Sequence, residues 1–299
     1  MKRAIVTGAT GAVGTALVDN LINNGIEVLV LLREGSARSG VIKKHPLVEV
    51  KSCSLENLKT LKNDMGKTYD VFYHFAWAGT FGDSRNDMCL QNKNVEFALD
   101  AVKVAKEFGC KVFIGAGSQA EYGRVEGVLT PTTPAFPENG YGIAKLCAGQ
   151  MTKEYARQLS LKHIWVRILS VYGPYDGAQT MIMSTITKLK NGEKAQFTKG
   201  EQLWDYLYSG DAAEAFRLIG ERGRDGKTYV LGSGKAKPLK EYIEIIGKIL
   251  KARNLIELGT IPYSEKQVMH LCADITQLTV DTGWVPETDF EDGIKKILN

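Results

Sequence analysis

The sequence has 299 residues, of which 44% are hydrophobic, and its 38 lysines and arginines against 34 aspartates and glutamates give a formal net charge of +4. This apolar content excludes global disorder, and the nearly balanced charge speaks against a nucleic acid as partner. No apolar run approaches the ~18 residues of a membrane span, so no membrane segment is expected. At about 150 residues per domain, the length predicts two lobes.

The first half of the chain alternates short apolar runs with helix-like segments. The apolar runs predict strands at residues 4–7, 28–32, 48–50, 70–75, 112–114 and 164–168. The apolar stripes between them predict helices at residues 11–23, 95–108 and 142–159. Strands that are apolar throughout and separated by helices are typical of a parallel sheet covered on both faces. The predicted fold class is therefore α/β, with a doubly wound parallel sheet of the Rossmann type.

The rhythm changes after Gly173-Pro174, where helices become longer and strands shorter and more polar. This change predicts a first domain over residues 1–174 and a smaller C-terminal α/β lobe over residues 175–299. The segments 205–208 and 228–231 are expected to return to the main sheet, so that residues 205–231 belong to the first domain.

Five cysteines are scattered along the chain without a C-x-x-C pair: Cys53, Cys89, Cys110, Cys147 and Cys272. An odd number without metal-ligand spacing speaks against a disulfide framework and against a metal site. A reducing cytoplasm is therefore the expected location, with the thiols acting as small apolar side chains.

A glycine-rich turn, T-G-A-T-G-A-V-G, joins the first predicted strand to the first predicted helix. Glycines at this spacing permit a tight turn, a close backbone approach to a pyrophosphate, and close packing of helix on strand. The helix N-terminus then offers free N–H groups to the phosphates. The alternative is an ordinary structural turn. The pattern predicts a dinucleotide site formed by Gly8, Thr10, Gly11, Ala12, Val13 and Gly14.

The end of the second predicted strand favours NADP over NAD. Binders of NAD usually carry an acidic residue there, which accepts a hydrogen bond from the ribose 2′-hydroxyl, and Leu32 stands at that position here. Arg33 and Arg38 follow and are suited to a 2′-phosphate. Glu34 keeps NAD as the second choice, and two solvated loop arginines are the alternative interpretation.

Tyr141 and Lys145 stand four residues apart on a predicted helix, so their side chains share a face. An ammonium near a phenol favours the phenolate, which predicts a lowered tyrosine pKa and an acid/base role. Ser118 follows the strand predicted at residues 112–114, at the edge where open α/β sheets bind ligands. Its hydroxyl is suited to hydrogen-bond the reacting oxygen.

Together these residues resemble the extended short-chain dehydrogenase/reductases, in their nucleotide-sugar epimerase/dehydratase branch. Residues 7–14 follow the family's T-G-x-x-G-x-x-G, and Tyr141 with Lys145 follows its Y-x-x-x-K. Ser118 takes the catalytic Ser/Thr position, five residues before Gly123. Further similar segments are 74–77 (H-F-A-W), 166–174 (V-R-I-L-S-V-Y-G-P), 200–206 (G-E-Q-L-W-D-Y) and 283–286 (G-W-V-P).

The resemblance implies a Rossmann domain for a nicotinamide cofactor and a lobe for a nucleotide-diphosphate sugar. By that resemblance Tyr141 is the acid/base, Ser118 polarises the sugar oxygen, and Lys145 holds the nicotinamide ribose. The residues implied beside the cofactor are Phe75, Ala76 and Trp77. The resemblance also implies a homodimer, because the family commonly pairs the helices predicted at residues 95–108 and 142–159 in a four-helix interface.

Departures from the family pattern reduce the number of reactions that the site residues favour. The 4,6-dehydratases of this branch carry an Asp-Glu pair after the catalytic residue, where this chain has Gln119 and Ala120. Ser170 replaces a usual Asn, and Trp204 replaces an Arg that commonly contacts the diphosphate. We accordingly predict substrate contacts that differ from the usual family contacts, made by Gln119, Ser170 and Trp204.

The expected reaction is the reduction of a nucleotide-linked 4-keto-6-deoxy sugar. Arginines suited to NADPH favour a net reductase, and residues 200–206 and 283–286 resemble segments of 4-ketoreductases. A C4 epimerase with retained NAD is the alternative, since it needs the same serine, tyrosine and lysine. A non-catalytic dinucleotide-binding sensor is the alternative of another class.

Overall fold

The computed structural model describes residues 1–64 and 66–299. The strands of the described chain are β1 Arg3–Thr7, β2 Glu27–Leu32, β3 Val48–Ser52, β4 Val71–His74, β5 Val112–Ser118, β6 Lys162–Ile168, β7 Ser170–Tyr172, β8 Ala195–Gln196, β9 Leu203–Trp204, β10 Tyr206–Tyr208, β11 Thr228–Leu231, β12 Lys237–Pro238 and β13 Ile256–Glu257. Its α-helices are α1 Ala12–Asn23, α2 Met88–Glu107, α3 Gly140–Gln158, α4 Met181–Lys190, α5 Ser209–Arg222, α6 Leu239–Ile249, α7 Thr276–Thr282 and α8 Phe290–Leu298. None of these helices combines the length and the hydropathy that crossing a bilayer requires.

Seven parallel strands form the central sheet in the order β11-β6-β5-β4-β1-β2-β3. The chain winds outward from β1 in both directions, so the predicted doubly wound Rossmann fold is confirmed. The strand order reverses between β1 and β4. In open α/β sheets this switch point leaves a crevice at the carboxyl ends of the strands, where ligands bind.

Apolar side chains cover the sheet on both faces, as parallel sheets require. On one face α1 and α5 bury Leu17, Leu21 and Phe216 against the strands. On the other face α2 contributes Val102 and Ala105 to a second core cluster. The two faces of the central strands are therefore covered, and their ends remain as the places where polar side chains can reach a ligand.

The fifth strand is longer than its apolar run predicts. Gly115 and Gly117 read as the start of a turn after residue 114, yet β5 continues to Ser118. The glycines continue the strand because the Trp165 indole lies against them: a Cβ added to Gly115 would stand 2.2 Å from the indole. Ser118 is therefore the last residue of a central strand, with its backbone fixed by the sheet.

The segment after residue 204 returns to the central sheet only in part. Thr228–Leu231 forms β11 and pairs with β6. Tyr206–Tyr208 was also expected in the main sheet, but β10 pairs instead with β7 in a separate two-stranded parallel sheet. The physical reason is that β6 already has β5 and β11 as neighbours. Strand β10 therefore pairs with β7, which follows β6 in the chain.

The remaining C-terminal elements form a small cluster of their own. Two further short sheets pair β9 with β12 and β8 with β13. Helices α4, α6 and α8 bury Ile186, Ile246 and Ile294 in one apolar core. Tyr172 of β7 belongs to this core and follows the last residue of β6, Ile168, which is paired in register with Ser118. The cluster therefore adjoins the carboxyl end of β6.

Candidate active site

The glycine turn between β1 and α1 is closely packed where the sequence predicts it. Gly8 has φ +71°, and a Cβ added there would stand 2.6 Å from the backbone nitrogen of Ala76. A Cβ on Gly14 would stand 2.2 Å from the Gly8 carbonyl oxygen. Gly11 is different, because the nearest atom to an added Cβ is the Gly8 carbonyl oxygen at 3.8 Å. Gly8 and Gly14 thus shape the turn, and Gly11 leaves its outer side open.

The open side of the turn fits the phosphates of a dinucleotide. In the described chain no side chain caps the N-terminus of α1, and its first turn contains no acidic residue. Thr10, Ala12 and Val13 are half-buried around this end. Free N–H groups at a helix N-terminus attract anions. The residues present therefore suit a pyrophosphate.

The segment after β4 lies directly against the glycine turn. The Thr7 hydroxyl accepts hydrogen bonds from the backbone N–H groups of Phe75 and Ala76, each at 3.2 Å. Trp77 follows, and its indole N–H donates to the Gln91 side chain at 2.9 Å. The structure thus brings the predicted segment Phe75, Ala76 and Trp77 against the glycine turn, at the point where the strand order reverses.

Ser118 and Tyr141 meet because β5 and α3 approach each other closely. The Ser118 side chain accepts a hydrogen bond from Ala120 and begins the short 3-10 turn Gln119–Glu121. Asn139 caps α3 by accepting from the Gly142 N–H at 2.9 Å. A Cβ on Gly142 would stand 2.3 Å from the Ala120 carbonyl oxygen. Glycine next to the tyrosine therefore lets the helix contact the turn that carries Ser118.

Lys145 is buried beneath the tyrosine. Its ammonium donates to the Ala116 carbonyl at 2.7 Å and lies 3.8 Å from the centroid of the Trp77 ring. Burial lowers the pKa of Lys145 to about 7, and the Glu121 charge partly opposes this. Tyr141 is farther away, with its ring centroid 5.7 Å from the ammonium. Lys145 thus joins the strand, the Trp77 segment and the helix.

The pKa of Tyr141 shifts in the opposite direction to the sequence-based expectation. Burial raises it, and the Ser118 hydroxyl and the Arg85 charge oppose that rise. The expected lowering by Lys145 is wrong for this structure, because the ammonium is directed to the Ala116 carbonyl and the Trp77 ring. The phenol is therefore protonated near neutral pH.

A buried carboxylate fixes the backbone of Ser118 from below. Glu121 is fully buried and accepts from the Ser118 N–H at 2.8 Å, the Trp165 indole N–H at 3.0 Å and the Arg167 guanidinium at 2.7 Å. Arg167 also lies 4.4 Å from the Tyr122 ring centroid. Sequence patterns did not identify this network, because a carboxylate and an arginine 46 positions apart have no local signal of pairing.

The three residues predicted to contact substrate lie at the same end of the sheet. Gln119 is half-buried next to Ser118. The Trp204 indole N–H donates to the Ser170 hydroxyl at 2.8 Å. Ser118 is paired in register with Ile168, two residues before Ser170. Two of the positions that depart from the family pattern, Ser170 and Trp204, are thus joined by one hydrogen bond.

The two arginines predicted for a 2′-phosphate face different neighbours. The Arg38 guanidinium donates to the Tyr175 carbonyl, and its charge opposes the rise in pKa that burial gives Asp176. Arg33 lies on the side of Glu56, whose pKa is lowered by its own backbone N–H, the Ser54 hydroxyl and, more weakly, Arg33. Arg38 therefore already has a partner across the crevice.

Sequence patterns did not identify Arg85. It lies on the 3-10 turn Gly82–Asn86, and its guanidinium carbon stands 4.5 Å from the Tyr141 ring centroid. The loop after β4 has no apolar periodicity, so the sequence could not predict that it passes over α3. Only the tertiary structure brings this cation to the tyrosine.

Comparison with known proteins identifies the family. The profile of the NAD dependent epimerase/dehydratase family matches residues 4–232. The chain belongs to this family. The resemblance to the extended short-chain dehydrogenase/reductases is thereby confirmed, as is the expectation of an enzyme of the NAD-dependent epimerase/dehydratase class.

Individual relatives cover the whole chain at low identity. CDP-abequose synthase of Salmonella muenchen is 26% identical over 100% of this chain and 97% of its own. A putative UDP-glucose 4-epimerase of Methanocaldococcus jannaschii is 26% identical over 99% of this chain and 97% of its own. The crystal structure of the dTDP-glucose 4,6-dehydratase DesIV of Streptomyces venezuelae, with NAD and TYD bound, has the same fold: its TM-score is 0.87 at 20% identity, covering 99% of this chain and 96% of that one.

Proposed function

We propose that the protein is an NAD(P)-dependent 4-ketoreductase acting on a nucleotide-diphosphate-linked 4-keto-6-deoxyhexose. The observation that carries this proposal is the hydrogen bond between Ser118 and a protonated Tyr141. The Tyr141 ring also meets Trp77, in the segment whose Ala76 packs against Gly8 of the glycine turn. A protonated phenol is the form that donates to a carbonyl oxygen. The similarity to CDP-abequose synthase along the full chain supports the choice of a sugar nucleotide.

The chain's own residues divide the work as follows. Tyr141 gives its phenolic proton to the sugar carbonyl oxygen, while the Ser118 hydroxyl donates a hydrogen bond to the same oxygen. Lys145 orients the nicotinamide ribose and is itself held by the Ala116 carbonyl at 2.7 Å. The bound dinucleotide supplies the hydride. Glu121 keeps the Ser118 backbone in place throughout, because its carboxylate accepts the Ser118 N–H.

The substrate is held by Gln119, Ser170 and Trp204 in this proposal. The half-buried indole of Trp204 offers a flat apolar surface beside the Ser170 hydroxyl. Such a surface suits a nucleotide base or a sugar face. Gln119 replaces the acid that dehydration requires, which supports reduction rather than loss of water.

We infer that NADP(H) is the preferred cofactor, with NAD(H) as the second choice. Leu32 leaves the end of β2 without a carboxylate for the ribose 2′-hydroxyl. Arg33 is the 2′-phosphate ligand in this proposal. Arg38 joins it only by leaving the Tyr175 carbonyl, so the 2′-phosphate and the C-terminal segment compete for one guanidinium.

The assembly, the domain boundary and the compartment are proposed on separate grounds. Domains over residues 1–174 and 175–299 are proposed from the change in element lengths, with residues 205–231 returning to the first. A homodimer through the outer faces of α2 and α3 is proposed from their exposed apolar side chains, Met151 among them. A cytoplasmic location is proposed because all five cysteines are free thiols.

One set of measurements tests the activity and the cofactor together. The purified protein is denatured to identify any released nicotinamide, titrated with NADPH and NADH, and assayed with CDP-, UDP- and dTDP-4-keto-6-deoxyglucose. We expect tighter binding of NADPH and its oxidation with one of these sugars. Tyr141→Phe should lower kcat by about 10²–10⁴-fold with NADPH binding intact, because a general acid is removed. Tyr155→Phe, on the same helix, should keep its turnover.

Two results would replace the proposal. Stoichiometric, tightly held NAD⁺ together with interconversion of C4 epimers would make the protein an epimerase, the activity in the name of the Methanocaldococcus jannaschii relative. If the protein binds dinucleotide but no sugar nucleotide oxidises or reduces that dinucleotide, the protein would be a sensor. Wild-type turnover by Tyr141→Phe would remove the tyrosine from its assigned role.

A further inference from the structure

The loop after β4, residues 78–87, is held by side chains of α2. Asn94 is buried and binds both backbone groups of Ala78, accepting from its N–H and donating to its carbonyl at 2.9 Å each. Gln91 donates to the carbonyls of Gly79 and Ser84, at 2.8 and 2.9 Å. The loop thus has a defined path between β4 and α2.

The same loop is joined to the first turn of the helix that carries Tyr141. The Asn86 side chain accepts from the Gly140 N–H at 3.0 Å. A Cβ added to Gly140 would stand 3.0 Å from the Arg85 carbonyl oxygen and 2.8 Å from the Met88 sulfur. The backbone at Arg85 and the start of α3 are therefore in direct contact.

The Arg85 side chain covers the tyrosine ring. Its guanidinium carbon lies 4.5 Å from the Tyr141 ring centroid, within the usual range of a cation–π contact. Its one side-chain hydrogen bond in the described chain goes to the Thr80 carbonyl at 3.3 Å, and no carboxylate of the described residues forms an ion pair with it. The positive charge over the ring is thus not neutralised by a neighbour.

Three charged groups face Tyr141 from the elements packed against it. Arg85 comes from the loop after β4, Lys145 from α3 itself, and Glu121 from the turn after β5. Trp77 meets the ring edge-on at 6.2 Å and adds no charge. Since Lys145 is 5.7 Å from the ring centroid, Arg85 is the nearer cation.

We propose that Arg85 is a positioning residue for the acid/base tyrosine, holding the Tyr141 ring in place and stabilising its anionic form as the proton leaves. A phenolate spreads negative charge into its ring, so a cation over the face favours the phenolate over the phenol. Arg85 accordingly limits the rise in pKa that burial gives Tyr141. This inference rests on the proposed acid/base role of Tyr141.

The direct test is the ionisation of Tyr141 in Arg85→Met, Arg85→Lys and Arg124→Met. Each protein is titrated by tyrosinate ultraviolet absorbance, and its own Tyr141→Phe derivative is subtracted. Removing a cation–π contact should raise the Tyr141 pKa by about one unit in Arg85→Met. Arg85→Lys should recover part of the shift. Arg124, an exposed arginine paired with Glu138, is the matched control and should leave the pKa unchanged.

Kinetics provide the second readout. Arg85→Met should lower kcat about tenfold with KM within about twofold, matching a one-unit change in pKa. A raised KM at unchanged kcat would make Arg85 a substrate ligand and overturn the positioning role. Coincident titration curves of wild type and Arg85→Met would also overturn it, as would a wild-type Tyr141 that does not ionise before the protein unfolds.

The two proposals fail in different ways. The titration needs neither sugar nor cofactor, so it decides the role of Arg85 even where no substrate is turned over. A protein that reduces no sugar nucleotide but shows the expected shift in tyrosine ionisation would refute the proposed function alone.

Discussion

Two buried histidines, His74 and His163, illustrate how strongly the sheet core affects single residues. His74 contacts the Thr7 hydroxyl at 3.0 Å, and His163 contacts the Thr152 hydroxyl at 3.0 Å. Both rings stack on Phe113, at centroid distances of 6.1 and 5.8 Å. Burial lowers the pKa of His74 to about 3 and that of His163 to about 4. Both side chains are therefore neutral parts of the core, and neither is placed to relay protons at neutral pH.

These histidines should make the protein sensitive to acid. The unfolded chain takes up their protons near the ordinary pKa of about 6.5, before the folded protein does, so stability is full above that pH and falls below it. Each histidine should cost about 1.4 kcal/mol per pH unit, down to about pH 4 for His163 and about pH 3 for His74. Urea unfolding of His163→Gln between pH 7 and about pH 4 should show a shallower slope.

The exposed His45 allows a matched substitution outside the core. His45→Gln makes the same side-chain change on the surface and is the reference for the slope of His163→Gln. An unchanged slope in His163→Gln would show that carboxylates, and not the core histidines, cause the acid sensitivity.

At the scale of elements, the turn between β1 and α1 contains three glycines in different surroundings. Gly8 and Gly14 have no room for a side chain, whereas Gly11 has room. Gly14→Ala would place a Cβ 2.2 Å from the Gly8 carbonyl oxygen, whereas Gly11→Ala meets its nearest atom at 3.8 Å. Gly14→Ala should therefore destabilise the protein by about 1–3 kcal/mol, as overpacking does. Gly11→Ala should change the free energy of unfolding by less than about 1 kcal/mol, because Gly11 is only the N-cap of α1. It should lose dinucleotide affinity, because the added methyl group fills the open side of the turn.

Denaturant unfolding and NADPH titration of both variants check this pair. A Gly11→Ala protein that binds dinucleotide like wild type would mean that the phosphates lie elsewhere. A Gly14→Ala protein of unchanged stability would mean that α1 can move away from β1 at no cost.

The elements that the sequence predicts well are those with a local signal. The apolar runs predicted six strands of the sheet to within a few residues. The glycine turn and the Tyr141–Lys145 spacing predicted two parts of the candidate site. Strand β5 was predicted too short, because its glycines accommodate Trp165 from a different strand. The partners of Glu121, and the path of Arg85 over Tyr141, depend on elements distant in the chain, so no local pattern could have revealed them.

At the scale of the whole molecule, the outer faces of α2 and α3 form an apolar groove that is lined by Leu99, Met151 and Tyr155. If two copies pair through it, Met151→Arg should place a charge in the interface and convert a dimer into a monomer. Light scattering at several protein concentrations measures this. Val280→Arg, at an exposed apolar position on α7, should leave the mass unchanged. A wild-type protein that is monomeric at every concentration would contradict the dimer.

The position of β11 has a consequence for the order in which the protein folds during synthesis. Strand β6 ends at Ile168, but its outer neighbour β11 begins only at Thr228. While the intervening residues are still being translated, one side of β6 presents unpaired backbone N–H and C=O groups, and α5 is not yet available to cover the sheet. An open strand edge of this kind invites pairing with other chains. The nascent protein is thus exposed to misassembly until β11 has emerged from the ribosome, although its entire glycine turn and its serine, tyrosine and lysine have long been made.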